Sequence, residues 1–320
     1  MFARMPLFAL LLTLAQASVA APGPAAPVDV VVGIWVNQIH EISLKENYFV
    51  ADFYVWFRWK GADLKPQNSF ALVDGRIESK TEAITRTLAP SGENYAYVRV
   101  VARMTKFWDV SSFPLDNHQL QIVVEEEDSE NDKVRYVIDA TNSGTEPRIT
   151  VPGWKLTQKE TVAALGTYNS NFGDVSLPTG NKTSYARATL TMFFTREGTN
   201  YFAKLFFGLW VAVAIAFLAF FIRPTDVDPR FGLGVGAIFA AIASEYIVSS
   251  SLPDTNIITL ADWLHLVAFG FIFISIAQST WSLWLMQNGA EARSKKMDKL
   301  FVVLLPSAYA ITNIVLIAVL

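Results

Sequence analysis

RFGLGVGAIFAAIASEYIVSSSLP, Arg230–Pro253, is the stretch on which the reading of this chain turns. It is apolar and long enough to cross a bilayer, for which about 20 residues are needed. Gly232, Gly236, Phe239, Ala243, Tyr246 and Ser250 recur along it at steps of four and three, so they form one stripe on a helix. The stripe is small at its start and aromatic further along. Glu245 lies beside it at membrane depth, where an ionisable group is costly and is expected to face protein or water.

The Gly232-xxx-Gly236 spacing suits close helix packing. It also suits the wall of a pore. One such helix cannot enclose a pore, but a ring of identical subunits giving one copy each can. Phe239 or Tyr246 then forms a hydrophobic ring that gates by dewetting. Asp228 and Arg230 ring the mouth at the start of the helix. Asp226, Asp228 and Glu245 favour cations, and Arg230 opposes them unless it turns away into salt bridges.

Outward from this stretch, apolar residues are concentrated in the last 120 positions of a chain that is 52% hydrophobic. Four membrane helices are expected at about 202–222, 231–250, 257–286 and 298–320. RPTDVDPR carries Arg223 and Arg230, and QNGAEARSKKMDK carries Arg293, Lys295, Lys296 and Lys299. SSSLPDTN, between the second and third helices, has no Lys or Arg. The positive-inside rule puts both basic loops in the cytoplasm and SSSLPDTN outside.

Residues 28–200 alternate with period two. In FVADFYVWFRWKG, Phe49, Ala51, Phe53, Val55, Phe57 and Trp59 share one face, while Asp52, Tyr54, Trp56 and Arg58 share the other. Leu120, Ile122 and Val124 alternate too, as do Ala186, Ala188, Leu190 and Met192. Such strands without helical periods between them indicate a β-sandwich. The expected fold is therefore an extracellular or periplasmic β-sandwich over 28–200, followed by a four-helix transmembrane bundle over 201–320. Arg4, the apolar run Leu7–Leu14 and small residues at Ser18–Ala20 read as a signal peptide over 1–20. That agrees with an outward-facing sandwich.

A net charge of -3 gives no reason to expect nucleic acid. With zero cysteines there are no disulfides, thiolate metal sites or thiol nucleophiles. No phosphate loop, nucleophile motif or paired catalytic carboxylates stand out, so an enzyme is not expected.

With its outer sandwich, proline-aspartate turn and four spans, the chain resembles the prokaryotic pentameric ligand-gated ion channels of the Cys-loop receptor superfamily, which lack the loop cysteines. Phe113-Pro114-Leu115-Asp116 is similar to the family's aromatic-Pro-aromatic-Asp signature, with Leu115 in place of the second aromatic. Leu252-Pro253 matches the step after the second helix, and Arg196 resembles the basic residue before the first. Counting back from Pro253, the family's pore-facing positions fall on Gly232, Gly236, Phe239, Ala243 and Tyr246. The resemblance implies a homopentameric channel in the bacterial inner membrane, with cation conduction favoured, whose partners are its own copies, the bilayer and the permeating ions. It also implies that Phe113, Pro114 and Asp116 press on SSSLPDTN, with Arg196 bracing the junction. The chain departs from the family in three places: the first helix has no proline, Trp59–Phe113 contains no Trp-x-Pro, and EEEDSEND stands where a pocket loop of the family offers an aromatic.

The stimulus is not named by the sequence; a small molecule, a proton or a divalent ion fits. EEEDSEND reads as a charged turn or as a sensing cluster of Glu125, Glu127, Asp128, Glu130 and Asp132, without a required cofactor. Asp128, Glu130 and Asp132 offer oxygen ligands for calcium as a modulator, though without the glycine of an EF-hand. Tyr168 and Phe172 lie in a hairpin loop where they either cover a ligand or tuck into the sandwich. His118 is expected to be a partly exposed loop residue, and His265 to hydrogen-bond near Asp262. The opposing class is a non-conducting, membrane-anchored β-sandwich that binds or senses.

Overall fold

The computed structural model describes residues 26–61, 63–175, 180 and 182–319. The expected signal peptide, 1–20, lies outside them. The chain opens with β1 (Val28–Ser43), β2 (Tyr48–Trp59), a short helix α1 (Pro66–Ser69), β3 (Phe70–Leu72), β4 (Gly75–Lys80) and β5 (Ile84–Leu88). It continues with β6 (Glu93–Thr105), β7 (Asn117–Glu130), β8 (Val134–Ile138), β9 (Gly144–Thr145), β10 (Trp154–Tyr168) and β11 (Thr183–Arg196). Then follow α2 (Gly198–Leu218) with a 3-10 turn (Ala219–Phe221), α3 (Val227–Ser249), α4 (Leu260–Gln287) and α5 (Glu291–Val319).

The strands form two sheets. One runs β4-β6-β2-β1-β8, with β5 on β6 and β9 on β1; the other runs β10-β11-β7-β3. Alternation decides what lies between them. Phe49, Ala51, Phe53, Val55, Phe57 and Trp59 of β2 all point inward, against Leu120, Ile122 and Val124 of β7 and Ala186, Ala188 and Leu190 of β11. Each large inward side chain contributes roughly 1.5–3 kcal/mol of burial. A slip of one residue would turn this whole set outward. The outer face of β2 is polar at Asp52, whose carboxylate is gripped by Arg99 Nε at 2.9 Å and Nη2 at 2.5 Å.

The four helices are each long and apolar enough to cross a membrane, so the chain is a multi-pass membrane protein. Their bounds differ from expectation in ways that local chemistry explains. α4 starts at Leu260 because Thr259 and Asp262 form a reciprocal capping box. α3 starts at Val227, ahead of Phe231, with Asp228 in its first turn, where the helix dipole favours an anion. α5 starts at Glu291, so most of the expected third loop is helix. Glu291 and Lys295, one turn apart and 2.5 Å apart, support that start. Arg293, Lys295, Lys296 and Lys299 therefore stand on a helix at fixed spacing. Most of EEEDSEND is strand, because β7 continues through Glu130, and only Asn131 and Asp132 lie in the turn that follows.

Candidate functional site

The two domains meet around one buried cation. β11 ends at Arg196, and α2 begins two residues later. β6 and β7 are joined by the turn that contains Phe113–Asp116. Arg196 Nε and Nη2 donate to Asp116 Oδ1 and Oδ2 at 2.7 and 3.0 Å. The guanidinium carbon also lies 4.0 Å from the ring centre of Trp154, 5.1 Å from Phe113 and 5.3 Å from Tyr201. A planar cation suits this cage, because it can stack on rings while its edge binds a carboxylate.

His118 is expected to be partly exposed, but both it and Asp116 are buried, and His118 Nε2 lies 2.6 Å from Asp116 Oδ2. The reason is the aromatic packing of His118, between Trp108 and Trp154. Burial pushes the Asp116 carboxyl up, but hydrogen bonds from His118 and Arg196 outweigh it and hold the group at about 2. The exposed residue of the turn is Leu115, close to Gly198 at the start of α2. The turn reaches the membrane domain at two further points: Ser111 O accepts from Leu260 N at 2.8 Å, and the Phe113 ring meets Tyr201 edge-on. These contacts go to α4 and α2. In that loop, Leu252 is buried, as is Pro253.

Along α3, Arg230, Gly234, Ala237, Ala241 and Val248 are buried on one face. Asp228, Gly232, Gly236, Phe239, Ala243, Tyr246 and Ser250 are exposed and fall roughly on the opposite face at 3.6 residues per turn. A Cβ at Gly232 or Gly236 would meet nothing within 4 Å, so neither packs a neighbouring helix in this chain. The packing glycine is Gly234, where a Cβ would stand 2.6 Å from Ile276 of α4.

Two further charges of α3 have their own surroundings. Arg230 is 1% exposed. It donates to both Asp298 oxygens at 2.9 and 3.0 Å and to Ile222 O at 2.8 Å. Gln278 also donates to Asp298 at 2.7 Å. Arg230 thus fastens the start of α3 to the end of the 3-10 turn, α4 and α5. Glu245 sits on a flank, lining a cleft of about 420 Å³ with Asp262, His265 and Thr255. His265 bonds Ala261 O and Ser244 Oγ; Asp262 is occupied with its cap.

At the other end of β11, Tyr168, Phe172 and Tyr185 form a ring cluster with centroids 5.3 to 6.3 Å apart. They do not tuck into the sandwich; Phe172 is 63% exposed. Beneath them Arg187 pairs with Glu125, Tyr168 OH donates to Glu125 at 2.7 Å, and Arg187 Nη2 donates to Tyr168 OH at 2.8 Å. Gly166 leaves the room: a Cβ there would collide with both ionic groups. Tyr185 and Arg187 were missed in the sequence because alternation marks them only as the outward residues of β11.

Of the acidic run, Glu126 is the buried member. Ser69 and Tyr136 donate to it at 2.9 and 3.2 Å, and burial raises its carboxyl pKa. Glu127 points outward and is exposed, as is Asp128. Among the described residues no group of three or more His, Cys, Asp or Glu is placed to hold a metal ion, so Asp128, Glu130 and Asp132 do not converge as calcium ligands.

A β-sandwich joined to four membrane-length helices through a buried Arg–Asp pair on a proline turn is the arrangement in which the chain resembles Cys-loop-type channels, and its sequence relatives are receptor subunits and an ion channel. The human gamma-aminobutyric acid receptor subunit rho-1 is 23% identical over 281 residues, covering 80% of this chain and 56% of that subunit. The bovine rho-2 subunit is 22% identical, with 58% of it covered. The proton-gated ion channel of Gloeobacter violaceus is 20% identical over 325 residues, covering 94% of this chain and 86% of the channel. The chain thus spans little more than half the length of the rho subunits it matches. No protein-family model matches the chain.

Proposed function

We propose that the chain is the subunit of a homopentameric ligand-gated ion channel of the bacterial inner membrane, with its sandwich facing the periplasm and α3 lining the pore. The supporting observation is the exposed α3 stripe, with open space beside Gly232 and Gly236 and with Phe239 and Tyr246 largely exposed, while the opposite face is packed. Five copies around one axis would turn this stripe toward a shared lumen. Phe239 would form the hydrophobic gate. With Arg230 withdrawn into its clamp, Asp228 is the charge left at the mouth, which favours cations.

The stimulus would act at the Tyr168–Phe172–Tyr185 cluster over Glu125 and Arg187. Aromatic faces and a carboxylate suit an ammonium group, and Arg187 suits a carboxylate. β11 carries the signal: Tyr185 and Arg196 are eleven residues apart, about 36 Å of strand. A rearrangement around Arg187 would reach the Arg196–Asp116 pair along one element and pass directly into α2. A second reading is favoured by buried Glu126, on the inward face of β7: a proton is the stimulus, as the name of the Gloeobacter relative states for that protein.

Planar-bilayer recording from purified protein, with pH, calcium and small zwitterionic amines screened in turn, tests the proposal. Currents gated by one of these are expected, with Phe239→Ala raising the resting conductance. Absence of current under every condition, with the protein folded, would leave the non-conducting sensor as the better account.

A further inference from the structure

His118 is buried at the domain junction, and neither the proposed pore nor the sensing cluster uses it. Its side chain is 4% exposed, and the rings of Trp108 and Trp154 lie 4.9 and 5.3 Å from its own, centre to centre. Its hydrogen-bond partner is Asp116, with Nε2 2.6 Å from Oδ2. An ionised carboxylate can only accept, so Nε2 carries a hydrogen. Among the described residues Nδ1 has no hydrogen-bond partner. The neutral ring therefore has one nitrogen left to take a proton. The charges around it are few. The turn supplies Asp116 and Asp109; hydrogen bonds from Ser111 hold the Asp109 carboxyl below its ordinary value, with a smaller contribution from His118. β11 supplies Arg196, whose Nη2 shares Asp116 Oδ2 with His118. Lys106, just after β6, lies 5.3 Å from the Trp108 ring. β10 supplies Trp154, and its Lys155 is exposed. α2 supplies Tyr201, whose ring centre is 5.3 Å from the Arg196 guanidinium.

We propose that His118 is a proton switch on the Arg196–Asp116 clasp: a proton taken from solvent at Nδ1 draws Asp116 Oδ2 to the imidazolium and weakens the second prong of Arg196. The contact is ready for the charged ring. At 2.6 Å it is shorter than the roughly 2.9–3.0 Å of a neutral N–H···O bond, so the oxygen already stands where an imidazolium would hold it. Charge then decides the outcome. With the ring neutral, one carboxylate balances one guanidinium. With the ring charged, two cations share that carboxylate in a site closed to bulk water, where the surplus charge is costly. Of the two Arg196 bonds, the one to Oδ2 is the longer, 3.0 against 2.7 Å, and it goes to the oxygen that His118 also holds. Arg196 would keep its bond to Oδ1 and its stack on Trp154. α2 begins two residues beyond Arg196, so acid would loosen the joint between sandwich and membrane domain whatever the stimulus is. Any effect on current rests on the channel reading; the switch itself does not.

The chain has three histidines, so NMR of the lipid-reconstituted protein with 15N-labelled histidine reads this ring directly. Its signals are assigned by their loss in His118→Gln or, by elimination, in His40→Gln and His265→Gln. From pH 8 to pH 5, the range in which histidine serves as a switch, the ring should pass from the Nε2–H neutral form to the doubly protonated one. Over the same range, backbone hydrogen exchange at 196–201 should rise about tenfold, the loss of one hydrogen bond to a charged group. His118→Gln can give Asp116 the same bond but takes no proton, so there the rise should vanish. His40→Gln, outside the junction, should keep it. Currents evoked by the stimulus that opens the channel should weaken toward pH 5 in the parent, and less in His118→Gln. A His118 ring that holds one charge state from pH 8 to pH 5, or the same rise in exchange in His118→Gln, would overturn the inference. Both are read without current, so an absence of current counts against the channel reading alone.

Discussion

Arg196 and Asp116 meet edge to edge, two nitrogens on two oxygens at 2.7 and 3.0 Å, where the last sandwich strand passes into the first membrane helix. Asp116 follows the proline turn and Arg196 ends β11, so one ion pair closes the contact between two sequence segments 80 residues apart. Their side chains are 1% and 7% exposed, which makes the pair a buried one.

Removing one member of a buried pair strands the other. Arg196→Gln is expected to destabilise the junction by about 3–5 kcal/mol, because Asp116 keeps its burial and loses its cation. Arg196→Lys should rescue little, since an ammonium cannot reproduce the two-pronged grip or stack on Trp154. Thermal unfolding of the three proteins in one detergent checks this; a lysine variant as stable as the parent would contradict it.

The same pair sets an acid limit. Asp116 is held at about 2 against an ordinary 3.8, so its contribution is present above pH 3.8 and is lost as pH falls toward 2. Glu126 has the opposite sign. Its raised value favours the folded state below the ordinary carboxylate pKa and is lost as pH rises through the folded value. Melting curves from pH 2 to 8 should show Asp116→Asn flattening the acid limb and Glu126→Gln flattening the limb above pH 4.5.

The glycines of α3 should separate packing from path. Gly234→Ala drives a methyl against Ile276 and should cost about 1–3 kcal/mol. Gly236→Ala meets nothing and should be neutral, or gain up to about 1 kcal/mol from helix propensity. If the exposed stripe lines a pore, Gly236→Ala nonetheless lowers single-channel conductance. Melting temperature and conductance measured on both variants give the comparison.

Charge preference should follow position. Asp228→Asn is expected to shift the reversal potential in a salt gradient toward the anion value. Glu245→Gln, on the flank beside His265, should leave it unchanged. The reverse pattern would move the selectivity site to Glu245.

Phe172 is largely exposed, so Phe172→Ala should change stability by no more than about 0.5 kcal/mol. A ligand seated on the aromatic cluster should nevertheless lose potency. A dose–response curve unchanged by the substitution would place the ligand elsewhere.

What the sequence determined by itself is periodic or local. Period two in Phe49–Trp59 fixes which side of β2 is dry, since alternate residues of a strand must face opposite ways. The steps of four and three from Gly232 to Ser250 fix one stripe on α3, for the same reason in a helix. Four apolar runs give four spans. Only the tertiary structure decided the partners. Arg230 reads either as a mouth charge or as one turned into salt bridges, and Asp298, 68 residues on, decides for the second. His118 reads as a loop residue until Trp108 and Trp154 enclose it. Arg187 gains a role only when β7 brings Glu125 beside it in the sheet. Polar side chains take their function from whichever long-range neighbour satisfies them, and spacing along one segment carries no record of that neighbour.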